Sequence, residues 1–301
     1  MKILIIDKNK TLINKVQKLL DKIPYKNVST KTGDIFKEKG IIVSASNPNF
    51  SMGGGLDAQI QKIKNIKSYP MARKGNQRID NIIWTITVDN KLKSSRELVL
   101  EAMRFAIKNT KKNETLLLSG LGTGIGNLSE EEFVSTLMQA LNELHNFKWK
   151  FMKGNLTSKN GDLQWKVNKW QHVKKELNIC NIGLHASDRI SEALPYVRDE
   201  TLSLVEVKGK SIIQTDKSCW ESMRIIRAFN WKKEVSVKLA IFASELVIDI
   251  YENKYPNNKA PRLAIEAAKI WLKLPTEKNR ASSDAASDAS SAFMVNLPPI
   301  G

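Results

Sequence analysis

The fold is decided by residues 115–132, TLLLSGLGTGIGNLSEEE, in which a short apolar run is followed by a glycine-rich loop and then by a helix start. Thr115–Leu118 is typical of a buried strand. Ser129, with Glu132 three residues later, forms a capping box that predicts a helix from this point. A glycine-rich turn between a strand and a helix N-terminus can bind an anion. The loop has neither the spacing of a P-loop nor the acidic residue that follows a Rossmann fingerprint, so neither motif is predicted.

Outward from this stretch, short apolar runs alternate with segments of helical periodicity. The predicted strands are Lys2–Asp7, Val28–Thr30, Ile41–Val43 and Ile82–Val88, and the predicted helices are Lys10–Ile23 and Ser94–Asn109, the second with Ser94 or Ser95 as its N-cap. This order predicts an α/β sandwich in which helices pack on a mainly parallel sheet.

A second glycine cluster, Gly53-Gly54-Gly55, follows the run IIVSAS at residues 41–46. Consecutive glycines let the backbone come close to a bulky anion, which the exposed N–H groups can hold. Both clusters follow predicted strands, and open α/β sheets bind ligands at the carboxyl ends of their strands. The two loops are therefore predicted to hold a diphosphate between them. The alternative is that both are flexible turns.

The composition is that of a globular protein with an excess of positive charge. The 301 residues include 48 Lys+Arg and 31 Asp+Glu, which gives a net charge of +17. Two interpretations stay open: a solvated lysine-rich surface, or a polyanionic partner such as nucleic acid or a phosphate-bearing ligand. No apolar run approaches the length of about 18 residues that a membrane-spanning helix needs. Two cysteines are too few for a disulfide scaffold. We expect a cytoplasmic protein with no membrane partner, located in the host cytoplasm if its source is viral.

Four motifs, in this order and spacing, resemble those of the macrodomain family. They are Gly33-Asp34-Ile35, Val43-Ser44-Ala45-Ser46-Asn47, Gly53-Gly54-Gly55 with Asp57, and Gly122-Thr123-Gly124-Ile125-Gly126. The resemblance covers about residues 1–145 and is strongest to a bacterial and phage subgroup with a Gly-Leu-Gly-Thr-Gly-Val-Gly type of second loop. It implies a macrodomain-like, three-layer α/β/α sandwich with a mixed, mainly parallel sheet over residues 1–147. It also implies binding of ADP-ribose, because macrodomains bind ADP-ribose and some hydrolyse ADP-ribosyl bonds.

The resemblance assigns parts of the ligand to particular side chains. Asp34 would accept the amino hydrogens of adenine, and Ile35 would pack on the adenine face. The alternative for Asp34 is a helix or turn cap. Asn47 would bind the distal ribose with its donor and its acceptor. The alternative for Asn47 is to form a turn before Pro48.

The diphosphate would be held by both glycine loops. The residues involved are Gly53, Gly54, Gly55, Gly122, Thr123, Gly124, Ile125 and Gly126. Asp57 matches an aspartate that helps to activate a water at the ribose anomeric carbon in the hydrolytic branch. Asn47 and Asp57 would then be the catalytic residues. The alternative for Asp57 is to cap the next helix.

The sequence departs from the family pattern in two places. The first loop has Ser44-Ala45-Ser46-Asn47 where the family often has Asn-Ala-Ala-Asn, and Gly126 stands where hydrolytic members commonly carry an aromatic residue. That aromatic residue pinches the distal ribose, so its absence makes turnover less expected than binding. Another branch removes ADP-ribose from glutamate or DNA thymidine with an attacking lysine. Lys74 lies in roughly the right stretch, but the local match is poor and we interpret it as a solvated loop residue.

Residues 148–275 are predicted to form a smaller accessory α+β domain with a helical C-terminus, and residues 276–301 a low-complexity tail. Residues 148–180 are interpreted as a linker that leads into short strands. The segment TLSLVEVKGKSII at 201–213 predicts strands, and Val235–Tyr251 and Pro261–Leu272 predict amphipathic helices.

Three stretches of this half, residues 183–187, 204–209 and 222–227, resemble an uncharacterised domain of phage and bacterial proteins. That resemblance implies no activity. His185 could titrate near neutrality, but beside a glycine turn we interpret it as a structural hydrogen-bonding residue. Cys180 and Cys219 do not have the spacing of a metal site with it. We therefore predict no metal ligand and no cofactor.

The leading hypothesis is a macrodomain that binds ADP-ribose or an ADP-ribosylated substrate. Within this hypothesis we favour an enzyme that hydrolyses ADP-ribosyl linkages on protein, nucleic acid or an ADP-ribose derivative, with Asn47 fixing the ribose and Asp57 assisting attack at the anomeric carbon. One alternative is a non-catalytic reader or sponge of such nucleotides, which the missing aromatic residue favours. The other is a basic nucleic-acid-binding adaptor, which the net charge of +17 favours.

Overall fold

The chain is seen in a computed structural model that describes residues 1–51, 53–64, 75–158, 163–179, 181–196 and 201–279. Lys74, Cys180 and the predicted tail from residue 280 onward lie outside the described residues. The chain divides into two compact units. One consists of Met1–Lys148, Trp170–Glu192 and Val205–Met223, and the other of Trp149–Lys169, Ala193–Leu204 and the residues from Arg224 on. The domain boundaries that we expect after residues 147 and 275 stay predictions.

The first sheet has six strands, β1 (Lys2–Asp7), β2 (Val28–Thr32), β3 (Ile41–Ser46), β4 (Gln77–Ile79), β5 (Ile82–Ile86) and β6 (Thr115–Leu118). The associated helices are α1 (Lys10–Lys22), α2 (Gly55–Lys64), α3 (Arg96–Lys108) and α4 (Glu130–Leu144), with a 3₁₀ turn at Ile35–Lys37. The strand order is β2-β1-β6-β3-β5-β4. All neighbouring strands are parallel except β4 and β5. The predicted α/β class with a mixed, mainly parallel sheet is confirmed.

The first sheet lies between two helical layers. Helix α4 contacts both α1 and α3, whereas α2 packs on β3. Ile60 of α2 joins Ile42 and Trp84 in one buried cluster. Because successive strand residues point to opposite faces, the central strands need apolar residues on both faces. This is why they appear in the sequence as continuous apolar runs.

The helix starts of this unit follow from capping residues. Ser129 and Glu132 form the predicted capping box at the start of α4. Ser95 caps α3, and its side chain accepts a hydrogen bond from the N–H of Leu98. The Ser94 hydroxyl instead donates to Thr87 O at 2.6 Å. Of the two N-cap candidates for this helix, Ser95 is therefore the correct one.

Two elements of this unit, α2 and β4, are not among the predicted elements, although the capping alternative for Asp57 supposes a helix beside that residue. Helix α2 begins within the glycine cluster, at Gly55 with a φ of 59°, and glycine is a poor helix former. Strand β4 has three residues and pairs antiparallel with β5 next to Asp80, whose φ is 53°. A strand this short leaves little periodicity in the sequence, which is why β4 was missed.

The second sheet has five strands, β7 (Phe147–Met152), β8 (Trp170–His172), β9 (Leu184–Ala186), β10 (Thr201–Ile213) and β11 (Ser218–Asn230). Four of them have the order β7-β10-β11-β8, and β9 pairs antiparallel with β11. The helices that follow α4 are α5 (Ile190–Ala193), which leads into a 3₁₀ turn at Leu194–Tyr196, then α6 (Lys233–Glu245), α7 (Ile248–Lys254) and α8 (Ala260–Lys273). No helix in the described part of the chain is long and apolar enough to cross a membrane.

Two predictions for this half need correction. Phe147–Met152 is strand β7 and not part of a linker, because Phe147, Trp149 and Phe151 are buried and alternate with lysines, which is the period of a half-buried strand. The single helix predicted over Val235–Tyr251 is two helices that are interrupted at Leu246–Val247.

The parallel strands of the first sheet bring several chain segments to one edge. Strands β1, β3, β5 and β6 end at Asp7, Ser46, Ile86 and Leu118. The residues that follow β3 and β6 are the two glycine loops. Because the carboxyl ends of parallel strands meet at one edge of a sheet, this topology puts both glycine loops on the same side of the molecule.

Candidate functional site

A cleft of about 580 Å³ lies at the carboxyl edge of the first sheet. It is lined by every residue that the sequence analysis assigned to the ligand or to catalysis: Asp34, Ile35, Asn47, Gly53, Gly54, Gly55, Asp57, Gly122, Thr123, Gly124, Ile125 and Gly126. Its volume is in the range of small-molecule sites. The four motifs, which are far apart in the sequence, thus meet around one space.

Asn47 organises the first loop with its side chain. Its Oδ1 accepts hydrogen bonds from the N–H groups of Asn49 (3.0 Å) and Ser51 (3.2 Å). Its Nδ2 donates to Ser51 Oγ at 2.6 Å. Asx side chains commonly form turns in this way. The turn-forming alternative therefore describes these contacts, and a contact of Asn47 with ribose stays a prediction.

The glycine cluster of the first loop leads directly into α2. A Cβ added at Gly53 or Gly55 would have no heavy atom within 4 Å. The N–H groups of Gly53, Gly54 and Gly55 make no hydrogen bond within the described part of the chain. The first N–H groups of a helix lack partners inside the helix, and the macrodipole is positive at this end. The start of α2 is therefore suited to an anionic group.

Three glycines of the second loop are required by packing. A Cβ added at Gly120 would lie 2.6 Å from Leu12 Cδ2, and one added at Gly126 would lie 2.6 Å from Ser94 Cβ. Gly122 has a φ of 80°, and its added Cβ would meet Ser94 Oγ. These three residues fix the path of the loop against the body of the unit.

Gly124 and Ile125 form the open part of the second loop. A Cβ added at Gly124 would have no heavy atom within 4 Å, and Ile125 is 60% exposed. Within the described ranges, the N–H groups of Gly124, Ile125 and Gly126 have no hydrogen-bond partner. A Cβ added at Gly54 would lie 3.0 Å from Ile125 Cδ1. The two glycine loops therefore meet at the cleft, and each contributes three N–H groups that have no partner among the described residues.

Asp7 is a cleft residue that the sequence analysis missed. Its Oδ2 accepts from the N–H of Gly120 and its Oδ1 from the N–H of Asn9, both at 2.9 Å. The carboxylate at the end of β1 therefore holds the second glycine loop in place. Thr123 Oγ1 donates to Gly120 O at 2.8 Å and closes the same turn. The signal available in the sequence was an acidic residue directly at the end of a buried strand.

Asp34 caps the 3₁₀ turn and is ionised. Its Oδ1 accepts from the N–H of Phe36 at 3.0 Å, and its Oδ2 lies 3.3 Å from Lys8 Nζ. The Phe36 N–H and, to a lesser extent, Lys8 lower the pKa of the Asp34 carboxyl. The side chain is 30% exposed, so the cap does not close it off from a ligand. Ile35 is buried in a cluster with Ile6 and gives this end of the cleft an apolar wall.

Asp57 is a buried carboxyl in the first turn of α2, with 4% of its surface exposed. Its Oδ1 accepts from the Ser44 hydroxyl. Ser46 lies on the same face of β3 and is also buried, and its Oγ has no hydrogen-bond partner among the residues that the structure describes. Burial raises the pKa of the Asp57 carboxyl, and the hydrogen bond from the Ser44 hydroxyl partly opposes that rise. The contact with Ser44 ties the start of α2 to β3.

The missing aromatic residue at Gly126 follows from the packing of the loop. A Cβ added there would lie 2.7 Å from Gly122 O and 2.9 Å from Val88 Cγ1, in addition to its contact with Ser94. An aromatic side chain at this position would require the loop to move. The departure from the hydrolytic pattern is thus built into the local packing.

Two of the candidate residues of the second half, His185 and Cys219, lie in the described part of the chain. Among the described residues, no group of three or more His, Cys, Asp or Glu side chains could hold a metal ion. Cys219 is buried, and its Sγ donates to Ile182 O at 3.3 Å. His185 is paired with Cys219 in the register of β9 and β11. These surroundings are those of residues within a sheet.

Comparison with known proteins covers the two halves separately. A family described as a domain of unknown function (DUF7666) matches residues 147–237, a range that contains the three stretches of residues 183–187, 204–209 and 222–227. No curated protein matches the sequence. Among solved structures, the chain is similar to the macrodomain of Mycobacterium tuberculosis DarG, with a TM-score of 0.33 and 20% sequence identity, over 38% of this chain and 89% of that one.

Proposed function

We propose that this chain binds ADP-ribose, free or attached to a target, in the cleft at the carboxyl edge of the first sheet. The observation that carries the proposal is the meeting of two glycine loops, where a Cβ added at Gly54 would lie 3.0 Å from Ile125 Cδ1. Gly53–Gly55 and Gly124–Gly126 each offer three N–H groups that have no partner in the described chain. Clustered main-chain N–H groups beside a helix N-terminus bind phosphate oxygens. These features support our proposal that the diphosphate lies between the two loops.

The adenine end of the ligand belongs at Asp34. Its carboxylate is partly exposed and ionised, so it can accept a hydrogen bond from an exocyclic amino group. Ile35 beside it offers an apolar surface to a flat ring. An acceptor next to an apolar wall favours adenine, and it disfavours a base that carries a carbonyl in place of the amino group.

The charges in the cleft favour a small ligand over a nucleic acid. The titratable residues that line it are Asp7, Lys8, Asp34 and Asp57, three acidic and one basic. A nucleic acid is bound chiefly by Lys and Arg contacts to its phosphates. The net charge of +17 belongs to the chain as a whole and not to this site, so the cleft does not support the adaptor hypothesis.

Hydrolysis of ADP-ribosyl bonds stays a prediction. A catalytic role needs the Asn47 amide to leave Ser51 for the ribose, and needs Asp57 to be ionised and within reach of a water. Asp57 is buried and hydrogen-bonded to Ser44. These contacts, with the glycine at residue 126, favour a reader that binds without turnover.

The test of binding is a calorimetric titration of the full chain with ADP-ribose and with ribose 5-phosphate. We expect one-to-one binding of ADP-ribose and much weaker binding of ribose 5-phosphate, because the smaller ligand has neither the adenine nor the second phosphate. Asp21→Asn, which changes a carboxylate outside the cleft lining, is the control and should bind like wild type. A Kd of about 1 mM corresponds to a binding free energy of about −4 kcal/mol. The absence of heat with ADP-ribose at about 1 mM would therefore contradict the proposal.

A further inference from the structure

A buried polar cluster underlies the cleft beside the start of α2. It consists of Asp57, Ser44 and Ser46, which are 4%, 0% and 2% exposed. Ser44 donates its hydroxyl hydrogen to Asp57 Oδ1. The Ser46 oxygen is buried without a hydrogen-bond partner among the described residues, which is costly for a hydroxyl group. Asp57 and Ser46 both line the cleft.

Asp57 and a bound diphosphate would compete for the same positive potential. Asp57 lies in the first turn of α2, where the helix dipole and the free N–H groups favour one negative charge. A diphosphate at Gly53–Gly55 would place further negative charge there. Two anions in a buried site repel each other strongly because the local dielectric constant is low.

The cluster contains an acceptor for the hydrogen bond that a neutral Asp57 could donate. A protonated carboxyl has one O–H donor and keeps an acceptor oxygen. The acceptor oxygen can retain the bond from Ser44. Ser46 Oγ makes no hydrogen bond in the described chain, so it is available as an acceptor for the O–H if the two side chains adjust. Protonation would also remove the repulsion between Asp57 and the diphosphate.

We propose that Asp57 takes up one proton from solvent when a diphosphate-containing ligand binds in the cleft, so that this residue acts as a positioning group and not as a catalytic base. The proposal rests on the proposed function, because ADP-ribose supplies the diphosphate. The proton comes from water or buffer and ends on the free carboxyl oxygen of Asp57, and no other bond is made or broken. A carboxyl that is neutral in the complex cannot accept a proton from an attacking water.

The other charged groups of the cleft do not provide such a proton site. Both oxygens of Asp7 accept backbone N–H groups. Asp34 has its pKa lowered by the Phe36 N–H and by Lys8, so it stays ionised at neutral pH. None of the three histidines of the chain lines the cleft. Burial already raises the pKa of Asp57, and a nearby anion raises it further.

The sign of the pH dependence follows from this direction. Between the pKa of Asp57 in the free protein and its higher pKa in the complex, binding takes up a proton and weakens as the pH rises. The limit is about tenfold in Kd for each pH unit. Outside this interval the titration of Asp57 no longer makes the affinity vary with pH.

The experiment is calorimetry of the full chain with ADP-ribose from about pH 5 to about pH 8, in pairs of buffers with different heats of ionisation. We expect the heat in wild type to depend on the buffer, by an amount that corresponds to net proton uptake of up to one. The uptake should disappear in Asp57→Asn, whose Kd should not vary with pH. Asp21→Asn should keep the uptake.

The outcomes separate a failure of the proposed function from a failure of the proton linkage. If ADP-ribose gives no heat, the proposed function is wrong. If it binds without proton uptake at any pH in this range, or if the uptake persists in Asp57→Asn, binding stands and the proton linkage is wrong. Where Asp57→Asn does not fold, difference infrared spectroscopy of wild type replaces it, because a protonated carboxyl band should then appear on addition of ADP-ribose and its absence would overturn the linkage.

Discussion

Gly122→Ala and Gly124→Ala form a matched pair that separates folding from binding in the second glycine loop. Each substitution adds one methyl group, two residues apart in the same loop. At Gly122 the φ is 80°, and the added Cβ would meet Ser94 Oγ and lie 2.9 Å from Val99 Cγ2. At Gly124 the added Cβ would have no heavy atom within 4 Å. The structure therefore predicts opposite effects from the same chemical change.

The expected magnitudes follow from these surroundings. A left-handed conformation costs a non-glycine residue about 1–2 kcal/mol, and overpacking costs about 1–3 kcal/mol. Gly122→Ala should thus lower the free energy of unfolding by roughly 2–5 kcal/mol in total. For chains of about 150–250 residues each kcal/mol lowers Tm by about 2–4 °C. Gly124→Ala should leave Tm unchanged, or raise it slightly by restricting the unfolded chain.

Gly124→Ala, which should leave Tm unchanged, should weaken the binding of ADP-ribose. The methyl group of Gly124→Ala would project from a loop whose N–H groups hold the diphosphate, so we expect the Kd for ADP-ribose to rise at least about tenfold, or about 1.4 kcal/mol. Thermal unfolding and calorimetric titration of both variants measure the two effects. Wild-type affinity in Gly124→Ala would mean that this loop does not contact the ligand. Wild-type Tm in Gly122→Ala would refute the packing argument.

Three further predictions concern single side chains. Asp34→Asn should weaken ADP-ribose binding about tenfold and reduce the preference for adenine over hypoxanthine, because the carboxylate acceptor is lost. Competition calorimetry with the two nucleotides measures this preference, and an unchanged preference would exclude contact between Asp34 and adenine. The Arg78 guanidinium and the backbone N–H of Lys111 lower the pKa of Glu114 from 4.5 to about 2. The stabilisation from this pair is therefore present above about pH 4.5 and is lost as the pH falls toward 2. Glu114→Gln should lose this part of the acid dependence of Tm, and a pH profile of Tm identical to that of wild type would contradict the prediction. Ser129→Ala should lower the free energy of unfolding by about 0.5–2 kcal/mol, because it removes the cap shared with Glu132; a urea midpoint equal to that of wild type would contradict this.

Much of the first sheet could be predicted because its central strands bury both faces. Lys2–Asp7 and Thr115–Leu118 were predicted to the residue, since a continuous apolar run bounded by polar residues leaves few other interpretations. Strand β7 is not predicted, because its large aromatic residues stand next to lysines and glycines and indicate a change of composition as much as a strand. Helix α2 is not predicted because its first residue, Gly55, belongs to a cluster of three glycines.

The candidate site could be predicted in its residue types but not in its internal contacts. The two glycine loops were identified from their positions after strands. The bond from Gly120 to Asp7 joins residues 113 apart, and the bond from Ser44 to Asp57 crosses from a strand to a helix. Contacts of this kind depend on how elements pack, and nothing in local periodicity encodes them. For the same reason, only the folded chain shows that the Asn47 side chain is used within its own loop.

The most direct test of the central claim is a crystal structure of the full chain with ADP-ribose. We expect the diphosphate oxygens to lie within hydrogen-bond distance, about 2.7–3.2 Å, of N–H groups from both Gly53–Gly55 and Gly124–Gly126, with the adenine amino group at Asp34. A ligand bound elsewhere on the chain, or a diphosphate that contacts only one of the two loops, would contradict the account.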